Sequence, residues 1–94
     1  MIKIAYTSVG LIVGKAGDPD KNGMVVLKEP RIVVILKNDG IRIDFNMTKL
    51  FGQPDFIEIN GAILGNIMDE NVLNSYNQAI SGLIIPKLQA VSKN

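Results

Sequence analysis

Apolar residues fall along this chain in short blocks separated by turn formers, the pattern of a small β-rich domain. Residues 8–15, with Val9, Leu11, Ile12 and Val13, predict a first strand, and the residues before them read as an extended lead-in. Gly17 to Gly23 is dense in Gly, Asp, Pro and Asn and predicts a loop. Met24 to Leu27 predicts a second strand. Pro30 has no N–H to give a central ladder, so it marks a bend or an edge. Ile32 to Leu36 is five consecutive aliphatics and predicts a third strand buried on both faces. A turn at Asn38-Asp39-Gly40 leads into Ile41 to Phe45, where apolar and polar residues alternate as in a half-buried strand. Residues 46–55 form a connection broken by Gly52 and Pro54.

The stretch from Phe56 to Ile67 has two apolar arms around Asn60-Gly61, a strong local signal for a tight hairpin because both residues tolerate positive φ. Phe56, Ile57 and Ile59 in one arm, and Ala62, Ile63, Leu64 and Ile67 in the other, put hydrophobes on both faces. One small domain has little interior to cover such a hairpin, so Ile57, Ile59, Ile63, Leu64 and Ile67 are expected at an interface with an identical chain. After Ile67 the period changes. Asp69 suits a helix cap, and Val72, Leu73, Tyr76, Ala79, Ile80 and Leu83 recur at helical spacing. Gly82 and Pro86 end that helix near residue 81 or leave it kinked to about 91.

Composition narrows the classes. The 94 residues suit a single domain, 47% hydrophobic but only 5% aromatic, so Ile, Val and Leu must build the core. Ten basic and nine acidic residues give a net charge of +1, too little for a long-range pull on phosphates from one chain. Any nucleic-acid site must come from local clustering or from repetition around an oligomer. With no Cys and no His, disulfides, thiolate chemistry and the commonest metal ligand and general base are excluded. No signal-peptide pattern and no membrane-length apolar run occur, which predicts a soluble, cytoplasmic protein.

Candidate chemistry is sparse. Asp18, Asp20, Asn22, Gly23 and Glu29 match the spacing of a calcium loop. The flanks read as strands rather than helices and Pro30 follows Glu29, so the segment is better read as a hairpin loop and no metal is expected. No nucleophile is framed by a base and no glycine-rich phosphate loop appears, so neither catalysis nor a cofactor is expected. Lys28 and Arg31 bracket the Glu29-Pro30 bend, where a sheet rim can aim side chains at a ligand. Tyr6 and Tyr76 could stack on bases, although Tyr76 lies in the helical apolar stripe and is expected in the core. Phe45, Phe51 and Phe56 are likewise expected there.

A strand, a loop ending at Gly23, the run Met24 to Leu36 and the stretch 57–67 together resemble the Sm-like family. Its first motif has a Gly followed six residues later by an acidic residue at a bend, here Gly23 and Glu29. Its second has a hydrophobic strand, a polar residue with Gly and a short Ile-rich strand, here Asn60, Gly61 and Ile63 to Ile67. The resemblance covers about residues 8–67 and is greatest to divergent phage members, cyanophage-type ones included. Asn60 stands where the family usually has Arg, Val33 where its first motif has Asn, and the bacterial Lys-His signature has no counterpart.

The resemblance implies a small, strongly bent, five-stranded SH3-like barrel; the C-terminal α-helix at about 69–91 comes from the hydrophobic period, and the family's own helix often precedes the barrel instead. It implies edge-to-edge pairing of the last two strands between neighbours, closing a homo-oligomeric ring of five to seven subunits. Loops at the pore would bind uridine- or adenine-rich single-stranded RNA, with Asn60 and Gly61 at the second-motif position and Arg31 just beyond the first bend. A phage-encoded member would work in the cytoplasm of a bacterial host. The alternative is an oligomeric structural or assembly protein that binds no nucleic acid.

Overall fold

The computed structural model describes residues 1–38 and 42–82, and the side chains of 35–45 are outside that description. The chain opens with a hairpin of β1 (Ile2–Thr7) and β2 (Gly10–Ala16). Pairs run from Ile2 opposite Lys15 to Thr7 opposite Gly10, which leaves Ser8 and Val9 as a two-residue turn. The Thr7 hydroxyl donates to the Gly10 carbonyl at 2.6 Å and accepts from the Val9 N–H, while Gly10 takes a φ of +135°. The expected single strand at 8–15 is thus corrected to two strands. The apolar run from Val9 to Val13 hides a turn that rests on one hydroxyl and one glycine.

β3 (Met24–Asn38) is one fifteen-residue strand where the sequence suggests two. Its bend falls where Pro30 predicts. Val13 faces Arg31 and Lys15 faces Lys28, so Gly14 alone lies opposite both Glu29 and Pro30. This is a β-bulge, entered with a left-handed φ of +50° at Glu29. A Cβ at Gly14 would sit 2.5 Å from Leu27 Cγ and 2.9 Å from the Lys28 carbonyl oxygen, so the site has room only for glycine.

Residues 24–28 pair with β5 (Phe56–Asn60), and residues 31–38 pair with β4 (Arg42–Lys49). Because Leu27, Lys28, Arg31 and Ile32 also pair with β2, β4 and β5 share the opposite edge of β3, one on each side of the bend. The recorded pairing with β2 stops at Ile32. Val34 beyond it is 37% exposed, which corrects the expectation that 32–36 is buried on both faces.

The Asn60-Gly61 hairpin does not form. Asn60 has a φ of −71°, Gly61–Ile63 makes one turn of 3₁₀ helix, and β6 (Leu64–Asn66) departs to pair with β1. The Asn60 side-chain oxygen accepts from the Ala62 N–H at 2.9 Å, and the Gly61 N–H donates to the Gly23 carbonyl at 2.8 Å. A short amide side chain that can close a local turn this way competes with the hairpin geometry. The path β5-β3-β2-β1-β6 would place its end strands ~19 Å apart if flat. The four steps from Asn60 to Leu64 reach at most ~14 Å, so the sheet must curl. Among the described residues the fold is a six-stranded antiparallel sheet with one α-helix on its C-terminal side, one strand more than the family resemblance implies.

Curling separates two cores. Ala5, Ile12 and Leu27 fill the inner face, joined by Ala16, Leu50, Ile57, Ile59, Ile63 and Leu64. Strands from both ends of the path meet there, which identifies it as the concave side. The other face carries Ile2, Ile4, Val13, Val33 and Met47 and is covered by α1 (Glu70–Ser81) through Val72, Tyr76, Ala79 and Ile80, with Ile67 beside them. The five residues expected at a subunit interface are therefore half-buried within the chain's own two cores.

Asp69 caps the helix as predicted, its Oδ1 accepting from the Asn71 N–H at 2.8 Å. Gly82 closes the helix in the left-handed conformation, its N–H bonded to the Gln78 carbonyl. The possible extension to about 91, the turn residues Asp39 and Gly40, and the Phe45 side chain lie outside the described residues.

Candidate nucleic-acid interface

The bulge organises the most polar part of the surface. Glu29 needs partners for a backbone that has left the ladder, and it finds them in two directions. Its N–H donates to the Asp55 carbonyl at 2.8 Å, which laces the 50–55 connection to the bend. Its carbonyl accepts from the Tyr76 hydroxyl at 2.9 Å, which fastens the middle of α1 to the same point. Burial and the nearby Glu29 carboxylate push the Tyr76 hydroxyl up to about 12, partly offset by Arg31. Tyr76 itself is wholly buried, as its place in the helical stripe predicts.

Register then sets the side chains. Lys15 pairs with Lys28 across β2 and β3, and Lys28 pairs with Phe56 across β3 and β5. Directly opposed residues in antiparallel strands share a face, with Cβ atoms ~5 Å apart. Two ammonium groups and an aromatic ring therefore stand in one row across three strands, all exposed, and Phe56 keeps 55% of its surface in water. The row continues the face covered by α1 but lies beyond the helix. With Glu29 and Asp55 it lines a cleft of about 390 Å³.

A second cleft, of about 150 Å³, opens on the other side of Glu29 between Arg31, Lys49, Gln53, Pro54, Asp55 and Ile80. Arg31 and Lys49 are register partners across β3 and β4, and the Arg31 guanidinium donates to the Pro30 carbonyl at 3.0 Å. Around the bend, four cations thus face two carboxylates. Lys15 Nζ lies 3.2 Å from Glu29 Oε2. That contact is a charge pair off the hydrogen-bonding direction, since Oε2 is covered yet accepts no hydrogen bond among the described residues.

Of the four residues proposed from sequence for RNA binding, Lys28 and Arg31 flank the bend but line different clefts. Asn60 and Gly61 sit at the far end of β5, where Asn60 faces Met24, ~13 Å along the strand from Phe56. Both already serve the 3₁₀ turn, and a Cβ on Gly61 would lie 3.0 Å from the Gly23 carbonyl oxygen.

The calcium-like loop is likewise spoken for. Asp20 Oδ1 accepts from the Asn22 and Met24 N–H groups, and Glu29 is carried away along β3. No group of three or more His, Cys, Asp or Glu suited to a metal occurs among the described residues.

Sequence reasoning missed Lys15, Lys49, Phe51 and Phe56. Phe51 is fully exposed at the turn after β4 and Phe56 is mostly exposed, which corrects the assignment of both to the core. The signal for Phe56 is present in the chain. Phe56, Glu58 and Asn60 alternate with Ile57 and Ile59, so the ring shares the polar face. Compared with family models, curated proteins and solved structures, the chain matches none.

Proposed function

We propose that the protein is a homo-oligomeric, Sm-like module, its curled sheet a strongly bent barrel, that binds single-stranded RNA at the rim around the Glu29 bend. The observation that carries this reading is the row of Lys15, Lys28 and Phe56. Cations that track phosphates beside a ring on which a base can stack are the two elements that single-stranded nucleic-acid surfaces combine. A net charge of +1 supplies little attraction from one subunit, so repetition of the rim around an oligomer provides the rest. Lys28 and Arg31 keep the role expected of them, and Asn60 and Gly61 act as framework.

The alternative reading, a structural or phage assembly protein built on the same oligomer, is favoured by different features. Among the described residues β4 and β5 are each paired on one side only, and Val26, Phe51 and Met68 are exposed. Fluorescence anisotropy with labelled oligo-U and oligo-A separates the two. The RNA reading requires binding at low salt that weakens with rising salt along a linear log–log slope. No binding at low salt leaves the assembly reading.

A further inference from the structure

We infer that the bend rim reads guanine, with the Glu29 carboxylate as the base-recognising group, an inference that rests on the RNA reading above. Glu29 is out of place on a surface built only to hold phosphates, because a carboxylate repels them. It nonetheless lines both clefts, at the centre of four cations. Among the described residues its Oε2 is covered but accepts no hydrogen bond, and its one ionic neighbour there is the half-exposed Lys15.

A ligand suited to this arrangement must satisfy three groups at once. It must bring an anion to Lys15 and Lys28, a flat face to Phe56, and N–H donors to a carboxylate that only accepts. The third condition separates the bases. Guanine presents N1–H and the N2 amine side by side, matching two carboxylate oxygens. Adenine and cytosine each place a ring nitrogen acceptor beside their single amine, which a carboxylate repels. Uracil has one N–H between two carbonyls. Guanine alone can replace Lys15 with two adjacent N–H donors, one for each carboxylate oxygen, and the freed ammonium then serves a phosphate. Single-stranded RNA is commonly read in this way, by stacking on an aromatic ring and hydrogen bonding to the Watson–Crick edge.

The test compares labelled 5′-UUUGUUU with the same oligomer carrying inosine, adenosine or uridine at the centre, in low salt and with the full chain. The guanosine oligomer should bind about tenfold tighter than the others, as expected for a bidentate base contact. Inosine, which lacks only the N2 amine, should lose most of that advantage. Glu29→Gln should abolish the difference between the guanosine and inosine oligomers, with circular dichroism confirming the fold. Equal affinity of wild type for all four oligomers overturns the guanine inference while preserving RNA binding. Failure of every oligomer to bind overturns both.

Discussion

The Tyr76 hydroxyl donates to the Glu29 carbonyl at 2.9 Å, joining the centre of the helix to the bulge of the longest strand. These residues are 47 positions apart, and the bond spans the boundary between the covered and the open halves of one sheet face. Tyr76→Phe should therefore cost about 1 kcal/mol in urea unfolding, the net worth of one hydrogen bond. Tyr76→Ala should cost about 3–5 kcal/mol, because it also empties a buried ring site. If Tyr76→Phe proves neutral and leaves the rim unchanged in amide exchange, the hydroxyl does not fasten the bend.

Alkaline stability follows from the same group. The folded-state value of about 12 lies above the 10.0 of an unperturbed tyrosine, so the folded chain holds this proton more tightly than the unfolded one. The stability this contributes is fully present below pH 10 and is lost as pH rises towards 12. Melting temperature should fall across that window, and Tyr76→Phe should flatten the fall. An unchanged slope in the variant would assign the alkaline loss to other groups.

Packing at the bulge gives a sharper test. Gly14→Ala places a methyl against both Leu27 and the Lys28 backbone, and the backbone cannot yield as a side-chain tip can. Overpacking of this kind costs about 1–3 kcal/mol. It should also disturb Lys28 and Phe56, so nuclear magnetic resonance shifts should spread along β3 and β5. Shifts confined to β1 and β2 would mean that the bulge absorbs the added group.

Asn60 separates a framework role from a ligand role. Its side chain closes the 3₁₀ turn through Ala62, so Asn60→Ala should cost about 1 kcal/mol of stability, comparable to loss of a helix cap. Affinity for oligo-U should not change. A large loss of binding with stability intact would return the RNA site to the 60–61 turn.

Much of the fold is legible in the chain because its signals are local. The 17–23 loop, the bend at Pro30 and the helix from Asp69 to Gly82 each follow from residues whose conformational preferences act within a few positions. What the sequence hides is register. Nothing near Lys15 or Phe56 reveals that both align with Lys28, since that row depends on a bulge opposite Gly14 and on β5 choosing β3 as its partner. The Asn60-Gly61 pair misleads for a related reason. Its local preference fits a hairpin, but β6 gains more by pairing with β1 and closing the inner core with Ile63 and Leu64.

Lys28 and Phe56 should leave different marks on binding. Lys28→Ala removes one phosphate contact and should reduce the salt slope by about 1. Phe56→Ala should weaken binding by about 1–3 kcal/mol with the slope unchanged, because stacking releases no counterions. The same slope change in both variants would contradict the division of roles along the row.

Ultraviolet cross-linking of labelled oligo-U to the intact protein, followed by mass spectrometry of the peptides, reads the location of the RNA directly. The account predicts cross-links at Phe56, with Lys28 and Lys15 on neighbouring peptides. Cross-links confined to residues 60–66, or none under conditions where the RNA is bound, would contradict it.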